Sequence, residues 1–507
     1  MRRYTYYIYM AKKTLFLLLC LLPLTSCLEK TPQDAILEDE AMTSLSGAEQ
    51  IVTGIYTAYM GSGLYSGSLT LTPDIQSDLV LAVEGNSGAD SQVYQWNFHS
   101  TESRFESVYA GLYTVIGRCN FYLDQVEALR KKMTNDADIK TLDIYTGEVY
   151  CARGLAYSEL IKCFCEAYDT DKAEQQLGVV LRLSYFKEEP VTRANLKDSY
   201  KQVIADLERA IELLDEELDE YDAAFFTRAA AQAVRARVAL FMKDWSTAIS
   251  YATELIKNEA FLLSSAAYNV GDGMNEIDYL WAYDSGYEVI WRVGYTATSY
   301  GGALGQNFLN FTTDFVNYYP DFVPAQWVLN LYGSGDARYN AYFANLQTGY
   351  PHQLSWPLLI KYYGNQSLIS YNIFHVNMPK PIRLAEQYLI RAEAYCNQGE
   401  YSKASADLNT LRASRYATGG STVTVGADNW LDVIEQERVR ELYMEGFRLN
   451  DLKRWGKGFE RTPQASVQQE GSKLKIDAKD PRFVWPIPKH EIEAPGSQVQ
   501  PNESNKY

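Results

Sequence analysis

The sequence predicts a predominantly α-helical protein: a scaffold of paired helices of the tetratricopeptide type, joined to a large irregular region with a few short strands. Two observations predict this fold class. Segments with apolar residues at i, i+3, i+4 and i+7 occur in pairs separated by short turns. The middle of the chain lacks this spacing and is rich in Gly, Tyr, Trp, Asn and Ser.

The first 26 residues have the pattern of a secretory signal peptide. Four basic residues open it, namely Arg2, Arg3, Lys12 and Lys13. The apolar run Thr14–Leu24 follows, and it is too short to cross a bilayer, which needs about 20 residues in a helix. Met10 stands directly before Ala11 and the two lysines, so the sequence leaves open whether translation starts at Met1 or at Met10.

A cysteine follows this segment immediately. Leu24, Thr25 and Ser26 precede Cys27, and this order resembles the lipobox of bacterial lipoproteins, in which the cysteine is diacylated and becomes the first mature residue. We therefore expect a signal peptide over residues 1–26, a lipid anchor on Cys27 and a mature chain of residues 27–507. The alternative is an ordinary core thiol.

The mature chain is strongly acidic. Removing residues 1–26 takes away four positive charges and no negative ones, so the formal net charge falls from −17 to −21. This balance argues against nucleic-acid binding, which depends on neutralising phosphates with Lys and Arg. It is typical of a surface protein that contacts the membrane only through its anchor.

The remaining cysteines predict neither a zinc site nor a disulfide framework. They are Cys119, Cys151, Cys163, Cys165 and Cys396, an odd number without CxxC spacing. We expect buried free thiols.

Helices are predicted in pairs along the chain. Ala229–Phe241 and Trp245–Ile256 form one pair, and Arg383–Arg412 contains a second pair around the turn Gln398–Glu400. Further predicted helical segments are Glu148–Tyr168 with Asn195–Leu214 as a third pair, Ser44–Met60, and Tyr109–Lys131. We expect one domain over residues 27–507, with helical repeats at about 44–260 and 383–456.

The stretch from about 261 to 377 shows almost no helical periodicity, although Glu288–Val293 alternates enough to predict a short strand. A hundred residues without regular structure are unusual inside a compact domain unless they serve a function. We therefore expect the ligand site in this loop-rich region.

Three segments carry a family resemblance. Leu384–Ala394 (LAEQYLIRAEA) is followed by Ala406–Arg412 (ADLNTLR). The second segment is Glu437–Trp455 (ERVRELYMEGFRLNDLKRW). The third is Phe483–Pro488 (FVWPIP). Together they resemble the signatures of the SusD/RagB family of outer-membrane nutrient-binding lipoproteins.

The resemblance implies a SusD-like fold and a function in nutrient capture. Such a protein is lipid-anchored in the outer membrane of Bacteroidetes, faces the extracellular side, and captures an oligosaccharide or another glycan. It passes this ligand to a SusC-type TonB-dependent transporter and is not an enzyme. The ligand site of the family has no fixed motif, so no ligand-binding residue is carried over from it.

The second signature is interpreted as structural. We expect Glu437, Arg438, Glu441, Glu445 and Arg448 to share one helix, on which they are spaced three, four or seven residues apart. We expect an ion-pair network that fastens this helix to the repeats, in preference to acid–base chemistry between carboxylates. Trp455 and Trp485 are expected to be packing anchors.

The sequence contains no HExxH, GxSxG, P-loop or GxGxxG motif, and its four histidines lie far apart. No cofactor is therefore expected. Asp272–Asp278 offers oxygen ligands without the 12-residue calcium spacing, which leaves a structural calcium ion open. A glycosidase pair also stays open, because such carboxylates meet in space and not in sequence.

The residues best suited to binding are aromatic, because the chain contains 40 tyrosines and nine tryptophans. Their rings offer rigid area for the C–H face of a sugar, with a polar group nearby. The candidate rings lie outside helical patterns and are Trp96, Trp281, Tyr283, Tyr295 and Tyr300; Asp78 and Asn97 could add polar contacts. For each ring the alternative is half-buried packing.

Two other functions stay open beside glycan capture. One is a surface glycoside hydrolase, and the other is a repeat scaffold that binds a peptide or protein through the concave helical face.

Overall fold

The computed structural model describes residues 41–187, 191–310, 316–351, 354–464 and 472–507. Cys27 and the predicted signal peptide lie outside the described residues. The α-helices are α1 Leu45–Tyr59, α2 Ser68–Ile75, α3 Ser91–Tyr94, α4 Ser103–Arg130, α5 Asp136–Phe164, α6 Leu196–Leu213, α7 Arg228–Phe241, α8 Trp245–Lys257, α9 Glu276–Ala282, α10 Gln306–Leu309, α11 Gln326–Leu329, α12 Ala337–Tyr342, α13 Gln366–Ile369, α14 Leu384–Asn397, α15 Tyr401–Ser414, α16 Trp430–Leu442, α17 Arg448–Trp455 and α18 Lys489–Glu493.

Short strands pair only in twos within these residues, and every pair is antiparallel. They are β1 Val80–Ala82 with β7 Phe322–Pro324, β2 Leu177–Val180 with β3 Arg193–Asn195, β4 Asn269–Gly271 with β5 Met274–Asn275, β6 Val289–Trp291 with β10 Ile382–Arg383, β8 Phe343–Asn345 with β9 Pro357–Leu359, and β11 Phe459–Arg461 with β12 Leu474–Ile476.

The long helices stack in succession, which confirms the predicted helical-repeat scaffold. Helix α1 packs on α4, and the stack continues through α5, α6, α7 and α8 to α14 and α15. Alanines permit the close crossings: Ala236 and Ala239 of α7 meet Ala248 and Ala252 of α8 in one buried cluster with Ala394. Asp244 caps α8 by accepting the backbone N–H of Thr247 at 3.2 Å. The predicted helix pairs are all present.

The loop-rich region has more regular structure than the sequence indicates. It contains several helices of four to seven residues and the strands β4 to β9. The predicted strand at Glu288–Val293 is confirmed as β6. Elements this short do not generate a clear periodicity, because a helix of four residues completes barely one turn.

The expectation that Glu437 to Arg448 share one helix is wrong. Helix α16 ends at Leu442, and α17 begins at Arg448. Between them Gly446 adopts φ +85° and packs so closely that a Cβ would lie 2.9 Å from the carbonyl oxygens of Leu69 and Thr70. This close approach to α2 forces the chain to turn.

The expected ion-pair network is present and buried. Glu441 accepts hydrogen bonds from Arg338, Arg383 and Arg415 at 2.8 to 3.1 Å. Burial alone would raise the pKa of Glu441, but these guanidinium groups hold it well below its usual range. Glu288, next to β6, pairs with Arg383 and Arg415. The network therefore joins α16 to the loop-rich region as well as to the repeats.

The C-terminal part of the chain folds back onto the segment that follows α2. Arg461 of β11 donates to the carbonyl oxygen of Ser77 at 2.7 Å. The indole N–H of Trp485 donates to the side-chain oxygen of Gln76 at 2.8 Å, and its ring stacks on Phe105. Trp485 is buried, as predicted for a packing anchor.

The five cysteines of the described part are free and buried, as predicted. None of the helices in the described part of the chain is both long enough and apolar enough to span a bilayer.

Candidate functional site

Trp96 lies in the hydrophobic core. It is 2% exposed, with Phe483 and Phe459 packed on the indole at centroid distances of 5.1 and 5.6 Å. Its N–H donates to the carbonyl oxygen of Gln76 at 2.6 Å. The prediction that this ring is a ligand platform is therefore corrected, because neither ring face is open to solvent.

Asp78 is also committed to the fold. Both of its carboxylate oxygens accept hydrogen bonds from the guanidinium of Arg448 at 2.8 Å. Asp78 is also buried, so its predicted polar contact with a ligand is corrected to a structural ion pair. Asn97 is exposed and donates only weakly to Gln92 at 3.2 Å, so its predicted polar contact with a ligand stays a prediction.

Trp281 is buried, and two ammonium groups lie against its ring. The Nζ atoms of Lys361 and Lys380 lie 4.1 and 4.4 Å from its ring centroid. These cation–π contacts occupy the ring, so the expected sugar platform at Trp281 is corrected to a core contact. Tyr283 is half-buried and stacks on Tyr279 at 4.8 Å.

Tyr295 and Tyr300 bracket a tight turn and differ in exposure. Tyr300 is 47% exposed, whereas Tyr295 is 7% exposed, so Tyr295 is corrected from a stacking platform to a support of the loop. The turn is closed by the backbone N–H of Thr296, which donates to the carbonyl oxygen of Ser299 at 2.8 Å. A Cβ on Gly301 would lie 2.3 Å from the Tyr295 hydroxyl. The loop that presents Tyr300 is therefore held by close packing.

A second loop adjoins the first and carries two more exposed rings. The backbone N–H of Gly305 donates to the carbonyl oxygen of His375 at 3.1 Å. A Cβ on Gly305 would lie 2.0 Å from the carbonyl oxygen of Tyr362. In this second loop, between Tyr362 and His375, the side chains of Tyr363 and Tyr371 are 38% and 67% exposed. Sequence reasoning missed both tyrosines, because among 40 tyrosines no local signal separates exposed rings from packed ones.

This second loop is braced by side-chain hydrogen bonds. Asn365 caps α13 and donates to the carbonyl oxygen of Tyr283 at 2.8 Å. The hydroxyl groups of Tyr363 and Tyr318 lie 3.0 Å apart. We name the exposed rings Tyr300, Tyr363 and Tyr371 on these two loops the tyrosine surface. Loops that are fixed before binding lose little entropy when a ligand docks.

A second feature is a groove on the repeat side of the molecule. Its volume is about 780 Å³, and we call it the repeat groove. Its walls come from α8, α14, α15 and the loop after α8, with Leu262, Tyr268 and Tyr287 exposed at its edge. The ring of Tyr221 lies 4.5 Å from that of Tyr287, which extends the apolar surface.

The segment Asp272–Asp278, for which the sequence leaves a structural calcium ion open, is used for local structure. Asp278 forms a capping box with Asn275 at the start of α9, and Glu276 accepts the backbone N–H of Ser265 at 2.7 Å. Within the described ranges no three His, Cys, Asp or Glu side chains cluster as metal ligands would.

Comparison with known proteins identifies the family. A family model described as starch-binding and associating with the outer membrane matches residues 28–240, and a model of the SusD family matches residues 305–503. Together they cover most of the chain. No curated protein matches the sequence.

Solved structures share the fold over nearly the whole chain. A SusD superfamily protein from Bacteroides thetaiotaomicron is 25% identical with a TM-score of 0.76, covering 90% of this chain and 99% of its own. A putative sugar binding protein from Bacteroides vulgatus is 24% identical with a TM-score of 0.75, covering 91% and 99%. A SusD-like carbohydrate binding protein from the same species is 20% identical with a TM-score of 0.68, covering 86% and 89%.

The two family models, one in each half of the sequence, agree with these structural neighbours and with the signatures at Leu384–Ala394 and Glu437–Trp455. The chain belongs to the SusD/RagB family.

Proposed function

We propose that this protein is a nutrient-binding lipoprotein of the outer membrane that captures an oligosaccharide or glycan without transforming it. The observation that carries the proposal is the tyrosine surface: three exposed rings on two loops that brace each other. Tyrosine rings with a hydroxyl at the edge suit sugars, which present both C–H faces and hydroxyl groups.

Two further points support a carbohydrate ligand. The family model that matches the N-terminal half is described as starch-binding, and two structurally similar proteins carry sugar or carbohydrate binding in their names. The ligand would then be passed to a SusC-type TonB-dependent transporter, a partner that we infer from family membership alone. The lipid anchor at Cys27 would hold the protein at the extracellular side of the outer membrane.

Titration calorimetry on a panel of soluble oligosaccharides, with chromatographic analysis of the same mixtures, tests the proposal. We expect saturable binding and unchanged oligosaccharides. Cleavage products that disappear when two carboxylates are removed would instead establish the glycoside hydrolase.

A matched pair of variants tests the location. Tyr300→Ala combined with Tyr371→Ala should weaken binding about tenfold or more, the equivalent of roughly 1.4 kcal/mol. Tyr268→Ala removes a comparably exposed ring in the repeat groove and should leave the affinity unchanged. Equal affinity of the wild type, the double variant and Tyr268→Ala would refute the tyrosine surface as the site.

The repeat groove favours a second candidate function, the binding of a peptide or protein segment. The groove is large enough to hold a segment of another chain, and Leu262 and Tyr268 expose apolar surface at its edge. Exposed apolar patches of this kind are typical of interaction surfaces. In that case Tyr268→Ala would weaken the interaction, and the variants of Tyr300 and Tyr371 would not.

A further inference from the structure

The stretch from Val293 to Pro379, which contains the tyrosine surface, is almost free of charged residues. Only five of its 87 residues are Asp, Glu, Lys or Arg, whereas these types make up 22% of the whole chain. The five are Asp314, Asp321, Asp336, Arg338 and Lys361.

The four of these that the structure describes are all buried. Asp321 accepts hydrogen bonds from the backbone and hydroxyl of Ser87 at 2.7 and 3.0 Å. Asp336 pairs with Arg338 at 2.7 Å, and Lys361 donates to Glu445 at 2.7 Å. Asp314 lies outside the described residues. Within the described residues of this stretch, therefore, no charged side chain reaches solvent.

His375, whose backbone carbonyl joins the two loops, has a neutral side chain as well. His375 is buried, and its Nδ1 lies 3.3 Å from the carbonyl oxygen of Tyr363. Burial lowers the pKa of His375 to about 4, so the imidazole carries no charge at neutral pH.

The exposed polar side chains that neighbour the rings in the sequence are uncharged hydrogen-bonding groups. They include Thr298, Ser299, Gln306, Gln366, Ser370 and Asn372. Amides and hydroxyls of this kind can donate to and accept from sugar hydroxyls. They cannot neutralise a carboxylate or a sulfate, which proteins usually bind with Arg or Lys.

The net charge of the whole protein also disfavours an anionic ligand. With a formal net charge of −17 for the complete sequence, the protein repels anions at a distance. An anionic glycan would meet this repulsion and lose part of its hydration, and the described residues of Val293–Pro379 offer no exposed charged side chain to pair with it.

We infer that the ligand of the tyrosine surface is a neutral oligosaccharide, and not a uronic-acid, sulfated or sialylated glycan. The inference rests on the proposed function and adds the class of ligand to it. Aromatic stacking and uncharged hydrogen bonds provide the binding energy, so the affinity should depend little on ionic strength.

The test compares two sets of probes on the mature chain by titration calorimetry. The neutral set is oligosaccharides of α-glucan, mannan and xylan; the anionic set is oligogalacturonides, chondroitin sulfate oligosaccharides and sialyllactose. We expect at least one neutral probe to bind at least about tenfold more tightly than every anionic probe. Its affinity should change by less than about twofold between low and high salt, because screening acts only on charges.

Three outcomes distinguish a failure of the neutral-ligand inference from a failure of the proposed glycan capture. Binding of anionic probes alone, weakened by salt, would overturn the neutral ligand and leave glycan capture standing. Binding of neither set would overturn both. Neutral binding that persists in a Tyr300→Ala, Tyr363→Ala, Tyr371→Ala triple variant would overturn the assignment of the ligand to this surface.

Discussion

The carboxylate of Asp78 and the guanidinium of Arg448 form a bidentate pair although 370 residues separate them in the chain. Both are buried, and Arg448 also pairs with Glu435. Breaking a buried pair leaves one charge without its partner, which costs about 3–5 kcal/mol.

Asp78→Ala should therefore lower the free energy of unfolding by about 3 kcal/mol, as measured by chemical denaturation. The exposed pair Lys140–Asp215 provides the control. Asp215→Ala should change stability little, because solvent screens that pair. Equal effects of the two substitutions would contradict the structural role assigned to Asp78.

Glu148 should make stability depend on pH. Burial raises the pKa of Glu148 to about 7, although the hydroxyl of Tyr56 hydrogen-bonds to it. The folded state thus holds a proton that the unfolded state releases near pH 4.5, so stability should fall as the pH rises from about 4.5 to about 7. The maximum loss is about 3 kcal/mol.

Glu148→Gln removes this titration and should flatten the profile of unfolding free energy against pH. The profile will keep some slope, because burial raises the pKa of Asp74 to about 7 as well. Superimposable profiles of the variant and the wild type would show that Glu148 does not contribute.

Gly301→Ala should disturb the loop that presents Tyr300. The added Cβ would lie 2.3 Å from the Tyr295 hydroxyl and 2.5 Å from the Cβ of Ser66, so the loop must shift. We expect at least about tenfold weaker oligosaccharide binding and faster amide exchange over residues 295–305.

The matched control for this substitution is Gly117→Ala in α4, where the added Cβ meets no heavy atom within 4 Å. Alanine should raise helix stability there by about 0.5–1 kcal/mol and leave binding unchanged. Wild-type affinity in Gly301→Ala would mean that the position of this loop does not matter for the ligand.

Cys27→Ser should abolish acylation and release the protein from the membrane fraction, because acyl chains provide the expected attachment. Mass spectrometry of the N-terminal peptide and cell fractionation measure the two effects. An unmodified Cys27 in the wild-type protein, or membrane association that survives the substitution, would contradict the predicted anchor.

The scaffold could be predicted from the sequence because its signals are local. The alanines of α7 and α8 lie at helical spacing within single segments, and their packing follows from that spacing. The break between α16 and α17 could not be predicted in the same way. It depends on the close approach of Gly446 to the backbone of α2, and that contact joins distant parts of the chain.

The residues of the candidate site were harder to predict, because their exposure depends on contacts between distant parts of the chain. Trp96 has the sequence context of a loop residue, but its ring partners Phe459 and Phe483 come more than 350 residues later. Only Tyr300 and Asn97 among the predicted contacts are well exposed. The exposed Tyr363 and Tyr371 depend on how their loop packs against Gly305, which no spacing rule describes.

The return of the last part of the chain onto Gln76 and Ser77 has a consequence for biosynthesis. These early residues obtain their hydrogen-bond partners Trp485 and Arg461 only when the ribosome has nearly finished. The N-terminal layer therefore lacks these partners until most of the chain has been made, which would help to keep the chain unfolded during the export that the predicted signal peptide implies.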